Sequence, residues 1–180
     1  MALFYTGKGD TGKSLVGKKK YKKDSPILQA FGDLDELNSL LGLARATLKK
    51  RDINKKLTAV QESLFIIQAR LAWIMYQKFD PPEIPAAKIK NMEKEIENIE
   101  KKIKPRHEFI IPGAHISAAW LDYSRAVARR VERSAVRLNK QHKLPQEVLT
   151  YLNRLSSYLY ALARLEIAKA KTKESTPQYR

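Results

Sequence analysis

The 180-residue chain contains no cysteine. Disulfide staples, thiolate metal sites and a cysteine nucleophile are thereby excluded, while the redox compartment is left undetermined. Only three histidines occur. None falls in an HxxxH or HExxH arrangement; His107 and His115 flank a short apolar loop, so no metal held by protein side chains is expected. Long apolar runs are missing too. The longest, residues 64–76, is broken by Gln68 and Arg70 and is too short to span a bilayer. The opening MALFYTGKGD has no basic segment followed by an apolar core, so it does not read as a secretory signal. The expectation is a soluble, cytoplasmic protein with no membrane partner.

Acid is the scarce charge. Nineteen Asp and Glu stand against 35 Lys and Arg, giving a net charge of +16. A nucleic-acid footprint would gather that excess with aromatics on one face. It is instead spread over KKKYKK at 18–23, KK at 49–50 and lysines in 88–104 and 169–173. A solvated basic surface accounts for it, and nucleic acid is not an expected partner. A cysteine-free chain rich in Lys, Glu and Ile also fits a thermophile's composition, which weakens charge as functional evidence.

One domain is expected, since this length buries roughly two thirds of the unfolded surface. The periodicity is helical nearly throughout. Asp24-Ser25-Pro26 reads as a helix start, with Ser25 as N-cap and proline in the first turn. Leu34, Leu37, Leu41, Ala44 and Leu48 then repeat over about six turns, with Phe31, Asp35, Asn38 and Gly42 on the other face. Leu57, Val60, Leu64, Ile67, Leu71 and Ile74 keep strict a/d spacing in a second helix. Phe65, Ile66 and Trp73 lie outside that seam and suggest burial on a second side. The prolines of FDPPEIP at 79–85 end this helix. Ile89, Met92, Ile96, Ile99 and Ile103 mark a third, half-exposed helix.

KPRHEFIIPGAHIS at 104–117 interrupts the pattern and carries Phe109 on a loop. In the helix that follows, Trp120, Val127, Val131, Ser134 and Leu138 form an apolar stripe. Ala118, Leu121, Arg125, Arg129, Glu132 and Val136 fall on the opposite side, so charge sits among apolar residues there. Either a subunit contact or ligand cleft, or a solvated face with i,i+4 pairs, satisfies that pattern. The last helix starts near Pro145, places Val148, Leu152, Leu155, Leu159 and Leu162 on its core face, and leaves Asn153, Arg154 and Ser157 outside. A polar tail from Lys171 is expected to fray.

The lead-in, residues 1–25, has its strand-like piece at residues 2–5. It also satisfies a Walker A pattern, with Gly7, Gly12, Lys13 and Ser14 at the required spacing. A P-loop must run straight into a helix that faces the phosphates. Here Leu15-Val16-Gly17 and a lysine run follow instead, so the fold of a P-loop NTPase is not expected. Glycine-loop amides beside lysines can still cradle polyphosphate, and a flexible arm is the alternative.

Five stretches together carry a family resemblance: TGKGDTGKS at 6–14, FGDLDELNSLLG at 31–42, FIIPG at 109–113, SRAVARRVER at 124–133 and YLNRLSSYLYALAR at 151–164. In this order they resemble the ATP:cob(I)alamin adenosyltransferases of the propanediol-utilisation type. The resemblance covers almost the whole chain. It implies an all-α, five-helix bundle (26–173) with an extended N-terminal loop (1–25) and a polar tail (174–180), assembled as a homotrimer with active sites at subunit interfaces. The implied reaction moves the 5′-deoxyadenosyl group of ATP to the cobalt of cob(I)alamin and releases triphosphate.

Carried over residue by residue, the resemblance assigns ATP to Thr6, Gly7, Lys8, Gly9, Asp10, Thr11, Gly12, Lys13 and Ser14 of the loop, and to Lys23. Arg129, Arg130, Glu132, Arg133 and Asn153 complete that set, with Mg²⁺ carried on the phosphates. Asp35 and Arg125 match a pair meeting across the interface beneath the corrin. Phe109 matches the residue closing the lower face of cobalt; with Asp35, Arg125 and Arg129 it forms the implied catalytic group. A corrinoid reductase and an adenosylcobalamin-dependent enzyme are the further partners the resemblance allows, and an adenosylcobalamin carrier or inactive homologue is the alternative reading. Two departures stand out. Where the family usually has two glycines after the proline this chain has Gly113-Ala114, followed by His115, and Lys13 makes the phosphate loop more basic.

Overall fold

The computed structural model describes residues 4–5, 7–48, 50–105 and 108–179. Thr6 and His107 lie outside the described residues, as does part of the strand expected at residues 2–5. Two short strands, β1 (Lys13–Val16) and β2 (Lys19–Lys22), precede five helices: α1 (Pro26–Leu48), α2 (Arg51–Met75), α3 (Ala86–Ile103), α4 (Ile116–Asn139) and α5 (Gln146–Ala170). The helices α1, α4 and α5 form the centre, with α4 packed against both others; α2 lies along α1, and α3 along α5.

The predicted seams supply the core. Leu34, Leu37, Leu41, Ala44 and Leu48 of α1 are buried, as are Leu57, Val60, Leu64, Ile67 and Leu71 of α2 and all five core positions named for α5. Each such valine, leucine or isoleucine contributes about 1.5–3 kcal/mol of transfer free energy. Pro26 opens α1 as expected, and the Ser25 carbonyl accepts from Gln29 N at 2.9 Å. The Ser25 hydroxyl, by contrast, has no partner among the described residues, so it does not cap the helix through its side chain.

Several expectations are corrected. The strands lie within 13–22, on either side of Gly17; Phe4 and Tyr5 are exposed and outside any strand. In α4 the buried arc is wider than one stripe, because the helix touches both α1 and α5; Ala118 and Leu121 belong to the core, while Trp120 and Ser134 sit at its edge. Asn38 is buried on α1 rather than outside it, and its carbonyl accepts from Gln61 Nε2 at 3.0 Å. Phe65 points outward from an outer helix and is exposed, with Ile66 and Trp73 only half-buried. The tail does not simply fray. Ile111 N donates to the Ser175 carbonyl at 2.8 Å, forming an antiparallel bridge, and Glu174 pairs with Arg164.

Candidate active site

The loop between α3 and α4 places Phe109 at one end of the bundle. Its position follows from a sharp exit from α3, where Lys104 takes φ +46°, and from Gly113 at φ +115°, a conformation that L side chains rarely adopt. His115 then ends the loop. Its Nδ1 accepts from Ser117 N at 3.2 Å, so His115, next to the Ala114 that stands in place of a second glycine, caps α4.

Phe109 is 79% exposed, so it is no lid on its own core. It borders a cavity of about 480 Å³ whose walls include Arg125 and Arg129 from α4, and Ser157, Tyr160 and Arg164 from α5. Arg125 and Arg164 both stand over the Tyr160 ring, with guanidinium carbons 5.6 and 4.8 Å from its centroid. Arg129 makes no hydrogen bond or ion pair among the described residues and is exposed. An apolar ring at the mouth and cations within suit a large ligand with both a flat apolar face and anionic groups.

A second group lies on the same helical pair. Asn153 Nδ2 donates to Glu132 Oε1 at 2.7 Å, and Arg154 Nη1 donates to Asn153 Oδ1 at 2.6 Å. Glu93 of α3 closes the row through Arg154 Nε at 2.7 Å. Arg130 turns the other way, to Glu36 and, at 3.6 Å, Asp33 on α1. The Glu36 hydrogen bond pushes the Arg130 pKa up, against a smaller opposing effect of burial.

The glycine loop is shaped by positive φ at Gly7 (+65°) and Gly12 (+74°). Lys23 folds back over it: its backbone N–H donates to the Gly12 carbonyl at 2.9 Å. Its Nζ lies 3.1 Å from where a Cβ on Gly9 would be. Lys13 and Ser14 enter a strand rather than a helix, which excludes P-loop geometry despite the Walker A match. The hairpin register sets Lys13 directly opposite Lys22. Like charges so paired are unfavourable unless an anion lies between them.

The comparisons with known proteins agree on one family. The cobalamin adenosyltransferase profile matches residues 4–166. A corrinoid adenosyltransferase of Citrobacter freundii is 33% identical, over 92% of this chain and 96% of its own length. The corrinoid adenosyltransferase PduO of Salmonella typhimurium is 36% identical over 92% of this chain, which spans 50% of that longer protein. Among solved structures, a variant of the PduO-type ATP:corrinoid adenosyltransferase from Lactobacillus reuteri, complexed with cobalamin and ATP, superposes with a TM-score of 0.89. It is 27% identical, over 97% of this chain and 99% of that one.

The chain belongs to the cobalamin adenosyltransferase family. Within that frame, the fold brings Phe109, Arg125 and Arg129 to one cavity, Glu132 to Asn153, and Lys23 to the glycine loop. Asp35 and Arg133 are exposed and make no polar contact among the described residues, and Arg130 is occupied by α1 carboxylates.

Sequence reading missed Asp33, Tyr160 and Arg164. Asp33 is 4% exposed and accepts from Gln29 Nε2 at 2.9 Å and from the Ser134 hydroxyl. Its signal was its place on the Leu34/Leu37 side of the helix. Arg164, 6% exposed, pairs with both Asp122 and Glu174. Burial pushes the Asp122 carboxyl above its ordinary value, although the Arg164 charge and hydrogen bond, and then Arg125, pull it down. The signal for Arg164 was an arginine one turn beyond Tyr160 on the core helix.

Proposed function

We propose that this protein transfers the 5′-deoxyadenosyl group of ATP to the cobalt of cob(I)alamin, giving adenosylcobalamin and triphosphate, at sites completed between subunits of a homotrimer. The observation that carries this reading is the cavity that joins an exposed Phe109 to Arg125 and Arg129. Its support includes the names of the relatives and the cobalamin and ATP held by the Lactobacillus reuteri structure.

In this reading Co(I) attacks C5′ of ATP, the C5′–O bond breaks, and its electron pair leaves with triphosphate. No protein nucleophile is required, consistent with the lack of cysteine. The leaving group concentrates negative charge, so catalysis depends on stabilising that charge as it develops. The amides of residues 7–14 receive the triphosphate, with Lys8, Lys13 and Lys23 around them; the Lys13 and Lys22 pair gains the anion it lacks within one chain. Arg129, Arg133 and the Asn153–Glu132 pair hold the nucleotide along α4 and α5. Mg²⁺ carried on the ATP phosphates would add charge neutralisation there.

The aromatic ring serves the other substrate. Phe109, set against the lower corrin face, displaces the axial ligand and favours a four-coordinate cobalt that is easier to reduce. Asp35 finds Arg125 of a neighbouring subunit beneath the corrin; inside one chain, among the described residues, Arg125 meets the Tyr160 ring and the charge of Asp122, and Asp35 makes no polar contact. The exposed Ile116, Tyr123 and Val136 of α4, with Leu43 of α1, supply apolar surface for that assembly.

The test is to follow absorbance of cob(I)alamin, kept reduced under anaerobic conditions, after adding ATP, Mg²⁺ and the purified protein. Conversion to adenosylcobalamin with stoichiometric triphosphate is expected. Binding of both ligands without conversion would make the chain a carrier, and binding of neither would overturn the reading.

A further inference from the structure

Arg164 is nine-tenths buried yet touches three different parts of the molecule. Its Nη2 donates to Asp122 of α4, its Nη1 donates to Glu174 beyond the end of α5, and its guanidinium covers Tyr160 at 4.8 Å. Glu174 is next to Ser175, whose carbonyl holds Ile111 N at 2.8 Å. Ile111 is two residues from Phe109. A covalent and hydrogen-bonded path thus runs from a buried cation, through the C-terminal segment, to the exposed ring at the cavity mouth.

We propose that Arg164 is a positioning residue for Phe109: through Glu174 it fixes the C-terminal segment, and through the Ser175 to Ile111 bridge that segment sets where the Phe109 loop stands. Three features support this role over simple stabilisation. A buried cation between two carboxylates gains little net stability over apolar packing of equal volume, so stability alone does not account for it. Among the described residues of the loop, Phe109 and Ile111 are exposed and Ile110 is half-buried, and the bridge is the backbone hydrogen bond that ties Ile111 to the C-terminal segment. Arg164 also lines the cavity itself, together with Arg125 and Tyr160, so a shift of the guanidinium is felt at both ends of the path.

The inference rests on the adenosyltransferase reading, and its test separates the two. Turnover is measured in the full-length protein by two routes, with cob(II)alamin reduced on the enzyme and with cob(I)alamin supplied already reduced. The variants are Glu174→Gln, Phe109→Ala and their combination. Glu174→Gln keeps the side chain's shape on a partly exposed residue and leaves Arg164 its Asp122 partner, so folding is retained; an unchanged melting temperature checks this. The expected result is a loss of about five- to tenfold in the on-enzyme route, with the pre-reduced route within about twofold of wild type. Added to Phe109→Ala, the second change costs nothing more, because its effect passes through the same ring. Equal losses by both routes, additive losses in the double variant, or no loss at all would each overturn the proposal. A wild-type protein inactive by both routes would instead remove the adenosyltransferase reading.

Discussion

Glu166 shows how a single residue can be read in charge terms. It is buried on α5 at 0% exposure, where Lys50 Nζ lies 2.7 Å from Oε2 and Lys169 Nζ 3.2 Å from Oε1. Burial is the largest single influence and pushes its pKa up, but the hydrogen bonds and charges of the two lysines together outweigh it and hold the carboxyl below the ordinary 4.5. A folded-state pKa below the unfolded one contributes stability that is present above the unfolded value and is lost as pH falls through the folded value. Thermal midpoints of wild type should therefore keep falling below pH 4.5, and Glu166→Gln should be less stable at neutral pH but lose less over that acid range. Parallel acid profiles for the two proteins would remove Glu166 from the linkage. Asp122 acts in the opposite sense: its raised pKa means that acid relieves a cost there. Among the candidate site residues, Arg125 and Arg129 stood out as charges set among apolar residues on one face of α4, whereas Phe109, on its loop, was singled out by the family resemblance. Arg164 did not stand out, since a lone arginine near the end of an apolar helix looks the same in sequence whether it snorkels to water or meets two carboxylates.

Among the elements, the helices were nearly transparent to periodicity, and the boundaries at Pro26, residues 79–85 and Pro145 followed from proline's missing N–H and fixed φ. The hairpin was not, because strand signals rest on β-branched and aromatic residues and KSLVGKKKYK offers few. What makes the strands is the turn. Gly17, at φ +62°, begins a two-residue loop of the kind that matches strand twist, and Tyr21 Oη donates to the Met75 carbonyl at 3.1 Å, tying the hairpin to the end of α2. Gly17→Ala meets two obstacles at once: the left-handed φ, and a Cβ that would stand 3.1 Å from Tyr76 Cβ. The strain should cost about 1–3 kcal/mol locally. The melting temperature should fall by about 2–4 °C for each kcal/mol of that strain, while KM for ATP rises because Lys13, Lys22 and Lys23 lose their common frame. An unchanged KM would show that the hairpin does not position the phosphate loop.

At the scale of the whole molecule, one chain presents half of several pairings. Among the described residues Asp35 and Arg133 are exposed without partners and Arg125 forms no close ion pair, and α4 shows Tyr123 and Val136 to solvent. Sequence pattern reached the same impasse on α4, where a subunit contact and a solvated face fit equally well, because periodicity reports which residues share a face and not what covers it. The proposed trimer turns this into arithmetic. If each site takes Asp35 from one subunit and Arg125 from the next, the variants Asp35→Ala and Arg125→Ala each damage every site when alone. Co-expressed in equal amounts, they form mixed rings in which an interface is intact only when the Asp35 donor is the Arg125→Ala chain and the Arg125 donor is the Asp35→Ala chain. Two independent one-in-two choices make about a quarter of interfaces whole, so activity should recover to about a quarter of wild type, well above either variant. Sites contained in single chains would show no recovery, since no mixture restores both residues to one subunit; the mixing assay thus decides where the site lies without a structure of the assembly.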